Sequence, residues 1–267
     1  MGDAFISTSI ARRLIVRMHA AHDRRRIAVF AGPPGIGKTT AIDALSRELP
    51  DGLVVVKVAR RNAREVLVLQ HVLDAIRRLG GSPAVHFPSS IWELRNDIFN
   101  AICSWAGAEP AAARRTEYAT ADFPRLTIVF DEAQNLSREA IESLRYWNDT
   151  DRCYAPFPLG LVFVGNNEFS LQTDLDGRSV ISAAVADRAL YVQALDYSDV
   201  TDDDLRLYLE ARGIVEDGAV NILIRHLNER RTSRSFRRVQ DLIEELTETS
   251  QGAPITVEAI SEVLACL

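Results

Sequence analysis

The chain has 267 residues, 47% of them hydrophobic and 25% charged. This excludes a largely disordered protein and leaves room for one large domain or a domain with a small satellite. Its 31 Lys and Arg against 37 Asp and Glu give a net charge of −6, which excludes a protein that coats nucleic acid with its whole surface but not one with a local basic stripe. No apolar run approaches the ~20 residues of a membrane span. Arg12, Arg13 and Arg17 interrupt the early apolar stretch that a signal peptide would need, so a cytoplasmic protein away from membranes is expected. Cys103, Cys153 and Cys266 lie far apart without metal spacing and read as reduced thiols.

Residues 9–22 carry apolar side chains at helical spacing and predict an amphipathic helix. The run IAVFA then predicts a buried strand ending at Gly32. A helix follows from about Thr39 to Leu49, broken by Pro50–Gly52. Residues 54–59 read as a second strand. Residues 62–80 and 89–106 read as two helices, and 107–123 as a loop or flexible insertion. The continuous apolarity of residues 126–130 fits a parallel strand covered on both faces. Ser137 is a suitable N-cap for a helix running to about Asn148. Residues 159–165 and 189–195 supply two further strands. Strands alternating with helices imply a parallel α/β sheet. After Asp196 the strands stop, and Thr201, Glu216, Ser235 and Thr256 each open a helical pattern. The expected division is an α/β domain over 1–196 and an all-helical segment over 197–267.

The segment Gly32-Pro33-Pro34-Gly35-Ile36-Gly37-Lys38-Thr39, followed by Thr40, matches the phosphate-binding pattern G-x-x-x-x-G-K-[ST] and sits between a strand and a helix. The glycines let backbone N–H groups converge on phosphate oxygens, and the helix N-terminus adds partial positive charge. Lys38 would place a point charge on the β/γ-phosphates, and the Thr39 hydroxyl would ligate Mg²⁺. An apolar strand then delivers Asp131 and Glu132 at its carboxyl end, where ligands bind in open α/β sheets. Asp131 would hold Mg²⁺ and Glu132 would act as general base toward the attacking water. After the fourth strand, Gly165-Asn166-Asn167 offers a neutral amide to position that water, or simply a turn. Arg188 and Arg237 stand out as arginines able to supply transition-state charge, although spacing alone reads them as solvated.

These elements resemble the AAA+ ATPases. Gly32–Thr39 is similar to Walker A, Leu126–Glu132 to Walker B, Asn166 to sensor 1, Arg188 to the arginine finger, and Phe236-Arg237 to sensor 2 of a helical lid. The resemblance covers nearly the whole chain and implies a P-loop NTPase with a five-stranded parallel sheet in the order 5-1-4-3-2, followed by a small α-helical lid. It also implies ATP and Mg²⁺ as cofactors. Within that superfamily, Asp131-Glu132-Ala133-Gln134-Asn135-Leu136, Phe163-Val164-Gly165-Asn166 and Phe5-Ile6-Ser7-Thr8 with Arg12-Arg13 resemble the DNA-transposition helper ATPases: TnsC, TniB and the Mu phage B protein. That resemblance implies head-to-tail self-assembly into rings or filaments on double-stranded DNA, with a transposase and a target-selection protein as partners. The DEAQ form also occurs in ExeA-type ATPases, which usually carry a membrane span, and IstB-type helpers are close in role. A helicase-loader-like remodeller and a nucleotide-gated signalling module therefore stay open.

With only a few residues before Phe5, no N-terminal helix-turn-helix domain is expected, and a DNA contact is expected from the AAA+ body instead. In the related filaments the neighbourhood of Lys57, Arg60, Arg61 and Arg64 lines the central channel. A solvated basic helix face is the plainer reading of those four residues; Arg95, Arg114 and Arg115 are second choices. Trp92, Trp105 and Trp147 read as core residues, and the five histidines lack ligand spacing.

Overall fold

The computed structural model describes residues 5–59, 61, 63–81, 87–114, 123–149, 154–167, 169, 181–229, 234–250 and 255–266. Its elements are α1 (Ser9–Asp23), β1 (Ile27–Ala31), α2 (Lys38–Glu48), β2 (Leu53–Lys57), α3 (Glu65–Leu79), α4 (Ile91–Trp105), α5 (Pro110–Arg114), β3 (Thr127–Asp131), α6 (Arg138–Arg145), β4 (Gly160–Gly165), α7 (Ala183–Arg188), β5 (Ala189–Ala194), α8 (Asp202–Ala211), α9 (Asp217–Glu229), α10 (Phe236–Thr249) and α11 (Val257–Cys266). Single 3₁₀ turns occupy Ala133–Asn135 and Tyr197–Asp199.

The five strands form one sheet in the order β2-β3-β4-β1-β5, and every pair is parallel. This is the expected 5-1-4-3-2 order read from the other edge. The three inner strands are buried along their whole length, as their unbroken apolar sequences require of strands covered on both faces. The outer strands are not: Val55 and Lys57 of β2 are exposed, and so is Val192 of β5. Because all strands run the same way, their carboxyl ends share one edge of the sheet. Asp131 sits at that edge, in register with Lys57 of β2 and Val164 of β4.

The chain divides into two compact units. The first comprises Ile15–Ala31 and Ile42–Ala194 and holds the whole sheet. Its core joins Ile128, Phe130 and Phe163 of the sheet to Val68, Leu69, Val72, Leu73 and Ile76 of α3 and to Leu94, Ile98 and Ile102 of α4. The Phe130 and Phe163 rings stack at 5.2 Å. Each such side chain contributes about 1.5–3 kcal/mol on burial, so truncating Ile98, which is fully buried, to Ala should cost about 2–5 kcal/mol. His22 is buried against Thr127, with its Nδ1 3.0 Å from the hydroxyl; burial lowers its pKa, so the ring is held neutral.

The second unit comprises Met1–Leu14, Gly32–Ala41 and Leu195–Leu267. It begins two residues before the expected start of the helical segment, and it also takes in the phosphate-binding motif and the start of α1. Thr201 caps α8 by accepting from the Asp204 N–H, and Asp204 returns the contact to the Thr201 N–H, each at 3.1 Å. That reciprocal pairing is a capping box. The same Asp204 carboxylate accepts from the Ser9 N–H at 2.6 Å and from the Ser9 hydroxyl at 2.5 Å, so one carboxylate serves the first turns of two helices. Burial alone would raise its pKa, but the bonds from Ser9 and Thr201 outweigh burial and hold it below the ordinary carboxylate value.

Two expectations need correction. Residues 107–123 do not form a continuous loop, because Pro110–Arg114 form a five-residue helix. Its Ala run is a good helix former, and Pro110 supplies a favourable first residue. Trp92 is not core but 75% exposed, whereas Trp147 is buried. Cys103 is a buried free thiol, and burial pushes its pKa up to about 11. Among the described residues no helix is long and apolar enough to cross a membrane.

Candidate nucleotide site

The Gly32–Thr40 segment leaves the carboxyl end of β1 and runs into α2. Gly35 and Gly37 adopt φ of +77° and +92°, the left-handed region that glycine enters without a Cβ penalty. A Cβ at Gly37 would meet nothing within 4 Å, whereas one at Gly35 would lie 2.0 Å from the Ser235 hydroxyl. Glycine at 35 is thus needed for its backbone angle and for a close approach; at 37 the angle alone requires it.

Around this loop the unit bonds to itself. The Lys38 ammonium donates to the carbonyls of Gly32 and Pro33 at 2.7 and 2.8 Å. The Tyr197 hydroxyl donates to the Pro34 carbonyl at 3.2 Å and the Ser235 hydroxyl to the same oxygen at 3.4 Å. The Phe236 N–H donates to the Gly35 carbonyl at 2.8 Å. The expected sensor residue Arg237 follows directly and is exposed; its Cβ would lie 3.3 Å from a Cβ at Gly35. Ser235 opens α10, as its helical pattern predicts, yet its side chain makes no cap bond and turns to the loop instead.

The donor set fits a polyphosphate. The first turn of α2 carries no acidic residue, so the positive end of that helix is uncompensated. Thr39 and Thr40 lie exposed at its start, and Lys38 adds a full positive charge.

At the end of β3, Asp131 is buried and its Oδ1 accepts from the Glu132 N–H at 3.0 Å. Glu132 has φ +58° and ψ +40°. A left-handed conformation at a non-glycine residue is uncommon and strained, and such strain concentrates at functional positions. The following turn is stitched to the end of β2: the Asn135 side chain donates to the Val58 carbonyl at 2.7 Å, and the Ala63 N–H donates to the Asn135 carbonyl at 2.8 Å. The Glu132 carboxylate accepts from the Gln134 amide, whose oxygen accepts from the Asn166 N–H at 3.0 Å. Asp131, Glu132, Gln134 and Asn166 therefore form one connected group at the sheet edge. The Asn166 side-chain oxygen is buried and has no partner among the described residues.

A family match decides the class: the AAA domain family matches residues 21–172. The chain belongs to the AAA domain family. With that membership goes the nucleotide-binding ATPase class that the Lys38 loop predicts. This AAA domain matches no curated protein. Among solved structures it resembles Drosophila ORC bound to DNA, with a TM-score of 0.57 and 15% identity over 96% of this chain and 59% of that one. It also resembles Cdc6p from Pyrobaculum aerophilum, with a TM-score of 0.54 and 16% identity over 94% of this chain and 66% of that one. The Thermotoga maritima RuvB Holliday junction branch migration motor gives a TM-score of 0.51 and 17% identity over 98% of this chain and 70% of that one. These likenesses concern the fold. The chain spans 59% of the length of the ORC chain it matches.

The remaining candidates are dispersed. Arg188 is paired within its own chain, 3.4 Å from Asp149, and its carbonyl accepts from the Arg26 guanidinium at 3.0 Å. Lys57, Arg61 and Arg64 are exposed near the end of β2 and the start of α3; Arg60 lies outside the described residues, as does Arg115. Arg95 is committed internally, donating to Glu65 at 2.5 Å and Ser143 at 3.0 Å and lying over the Tyr154 ring. The sequence pointed to no part in the site for Tyr197, Ser235 or Gln134. The signal for Gln134 was its place in the DEAQ string; for Tyr197 and Ser235 there was none.

Proposed function

We propose that this chain binds ATP with Mg²⁺, assembles head-to-tail on duplex DNA, and acts as a transposition helper that selects target DNA and activates a transposase. The reading is carried by one observation: an AAA-family chain in which a Gly-rich Lys38-Thr39 loop follows one strand, and Asp131-Glu132 of a DEAQ string end another at the same edge of a parallel sheet. Residues Gly32, Pro33, Pro34, Gly35, Ile36, Gly37, Lys38, Thr39 and Thr40 hold the nucleotide together with Asp131. Thr39 and Asp131 would hold Mg²⁺, which when bound neutralises phosphate charge; one carboxylate, one hydroxyl and phosphate oxygens are an ordinary Mg²⁺ donor set.

In this reading, Lys38 leaves the carbonyls of Gly32 and Pro33 to meet the phosphates. Glu132 accepts the proton of the attacking water, Asn166 orients that water, and Arg237 reports on the γ-phosphate from a helical lid spanning 197–267. Arg188 acts on the nucleotide of the neighbouring copy after exchanging Asp149 for phosphate. Hydrolysis then weakens the interface between copies and releases DNA. The DNA contact falls to Lys57, Arg60, Arg61 and Arg64, whose phosphate contacts would be sequence-independent and strongly salt-dependent. Support for a DNA role comes from the DEAQ string and from a similar fold in a structure of ORC bound to DNA.

Negative-stain microscopy with duplex DNA, alongside ATPase rates, tests the proposal. Rings or filaments with a non-hydrolysable ATP analogue, and none with ADP, are expected. Strict dependence on single-stranded DNA or on a helicase would point to a loader instead. Negligible turnover with and without DNA would point to a signalling module.

A further inference from the structure

We infer that Gln134 is a positioning residue for hydrolysis: its side-chain amide ties the Glu132 carboxylate to the backbone of Asn166 and so sets the aim of the base. The inference deepens the proposed function and rests on Glu132 being that base.

Gln134 sits in the 3₁₀ turn after β3 and is 9% exposed. An amide has two different ends. The Asn166 N–H can only donate, so it must face the Gln134 oxygen, at 3.0 Å. That leaves the Gln134 NH₂ group facing Glu132, whose carboxylate can only accept. One orientation of the amide satisfies both neighbours, and flipping it would break both contacts at once. Buried groups that lose a partner in this way are costly, so the bridge is held as a unit.

The main chain of Glu132 is fixed independently. Its N–H donates to Asp131 Oδ1 at 3.0 Å and its carbonyl accepts from the Asn135 N–H at 2.9 Å. What remains adjustable is the carboxylate, and among the described residues its partner is Gln134. The amide occupies one carboxylate oxygen and leaves the other for a water. A base whose direction is set by a third group is a recurring arrangement in activated sites.

Gly165 supplies a second, separate observation. A Cβ there would lie 2.8 Å from Phe169 Cβ and 3.1 Å from Gln134 Oε1. Glycine at the end of β4 thus keeps open the space through which the amide reaches the Asn166 backbone. The two residues that the proposed chemistry needs most, Glu132 just after β3 and Asn166 just after β4, are tied together by the Gln134 side chain.

The test compares Gln134→Glu and Gln134→Met by steady-state ATPase kinetics with duplex DNA. Glu keeps the length and the acceptor for the Asn166 N–H but loses the donor to Glu132; Met keeps the volume and loses both. Both variants should lower kcat by about tenfold or more, with KM for ATP changed less than about twofold. In a Glu132→Gln background neither substitution should reduce the residual rate further. Melting temperature and nucleotide affinity report separately on folding. Wild-type or faster turnover in Gln134→Glu would overturn the inference, because bracing Asn166 would then be the whole role. Normal turnover in Glu132→Gln alone would instead remove the base reading on which the inference stands.

Discussion

Around Lys38 the chain satisfies its own polar groups. The ammonium rests on the Gly32 and Pro33 carbonyls, and Tyr197, Ser235 and Phe236 occupy the carbonyls of Pro34 and Gly35. At the end of β3 the arrangement is the reverse. Asp131, Glu132, Gln134 and Asn166 lock one another in place, and the Asn166 side-chain oxygen has no partner among the described residues. A charge-assisted hydrogen bond contributes about 1.5–3 kcal/mol, so a ligand drawing Lys38 away must offset that first. The carboxylate end needs no such rearrangement. Under the proposed function, the first region must adjust to bind and the second is already aimed.

Lys38→Ala against Glu132→Gln breaks the comparison most sharply. Losing Lys38 should weaken nucleotide binding by about a hundredfold, the weight of a charged group on phosphate. Losing the Glu132 charge should leave affinity within about threefold while cutting kcat by about 10²- to 10⁴-fold. Fluorescent-nucleotide titration with single-turnover rates separates the two; equal effects on both quantities would erase the division of labour.

Gly35→Ala against Gly37→Ala sharpens the account of the loop. Each carries the left-handed penalty of about 1–2 kcal/mol, but the Cβ at 35 also meets the Ser235 hydroxyl at 2.0 Å. Gly35→Ala should therefore lower the melting temperature more, and adding Ser235→Ala should recover part of the loss. Equal shifts for the two glycines would remove the close approach from the argument.

Asp204→Ala should cost about 2 kcal/mol, since it deprives two helix starts of their acceptor. Its pH dependence has a definite sign. The folded pKa lies below the unfolded one, so the stabilisation is complete above the ordinary carboxylate pKa of about 3.9. It is lost as pH falls through the depressed folded value. Urea unfolding of wild type and variant should therefore differ most near neutrality and converge in strong acid. The smallest effect is expected from Ser235→Ala alone, which frees the Pro34 carbonyl of one long hydrogen bond and should tighten nucleotide binding about twofold in the same titration.

The sheet was readable because each inner strand is a continuous apolar run, and Lys38, Asp131 and Glu132 could be singled out because they lie in short local strings at strand ends. The rest was hidden by distance along the chain. Ser235 serves a carbonyl 201 residues away and Gln134 an N–H 32 residues away, and no local pattern records such pairings. Arg188 was singled out as an arginine, but its Asp149 partner depends on how α6 and α7 are brought together. The α5 helix was obscured because five residues between Gly107 and an aperiodic stretch give too little periodicity to read. Trp92 followed helical spacing, yet it falls on the outer face of α4.

The left-handed backbone of Glu132 has a consequence for how this position can vary. Glycine or asparagine would sit there with less strain, so selection for folding alone has no reason to retain glutamate. If Glu132 is the base proposed above, a lineage that abandoned catalysis could drift at 132 without losing its fold, and such a descendant would keep the sheet, the loop and the helices while its acid disappeared.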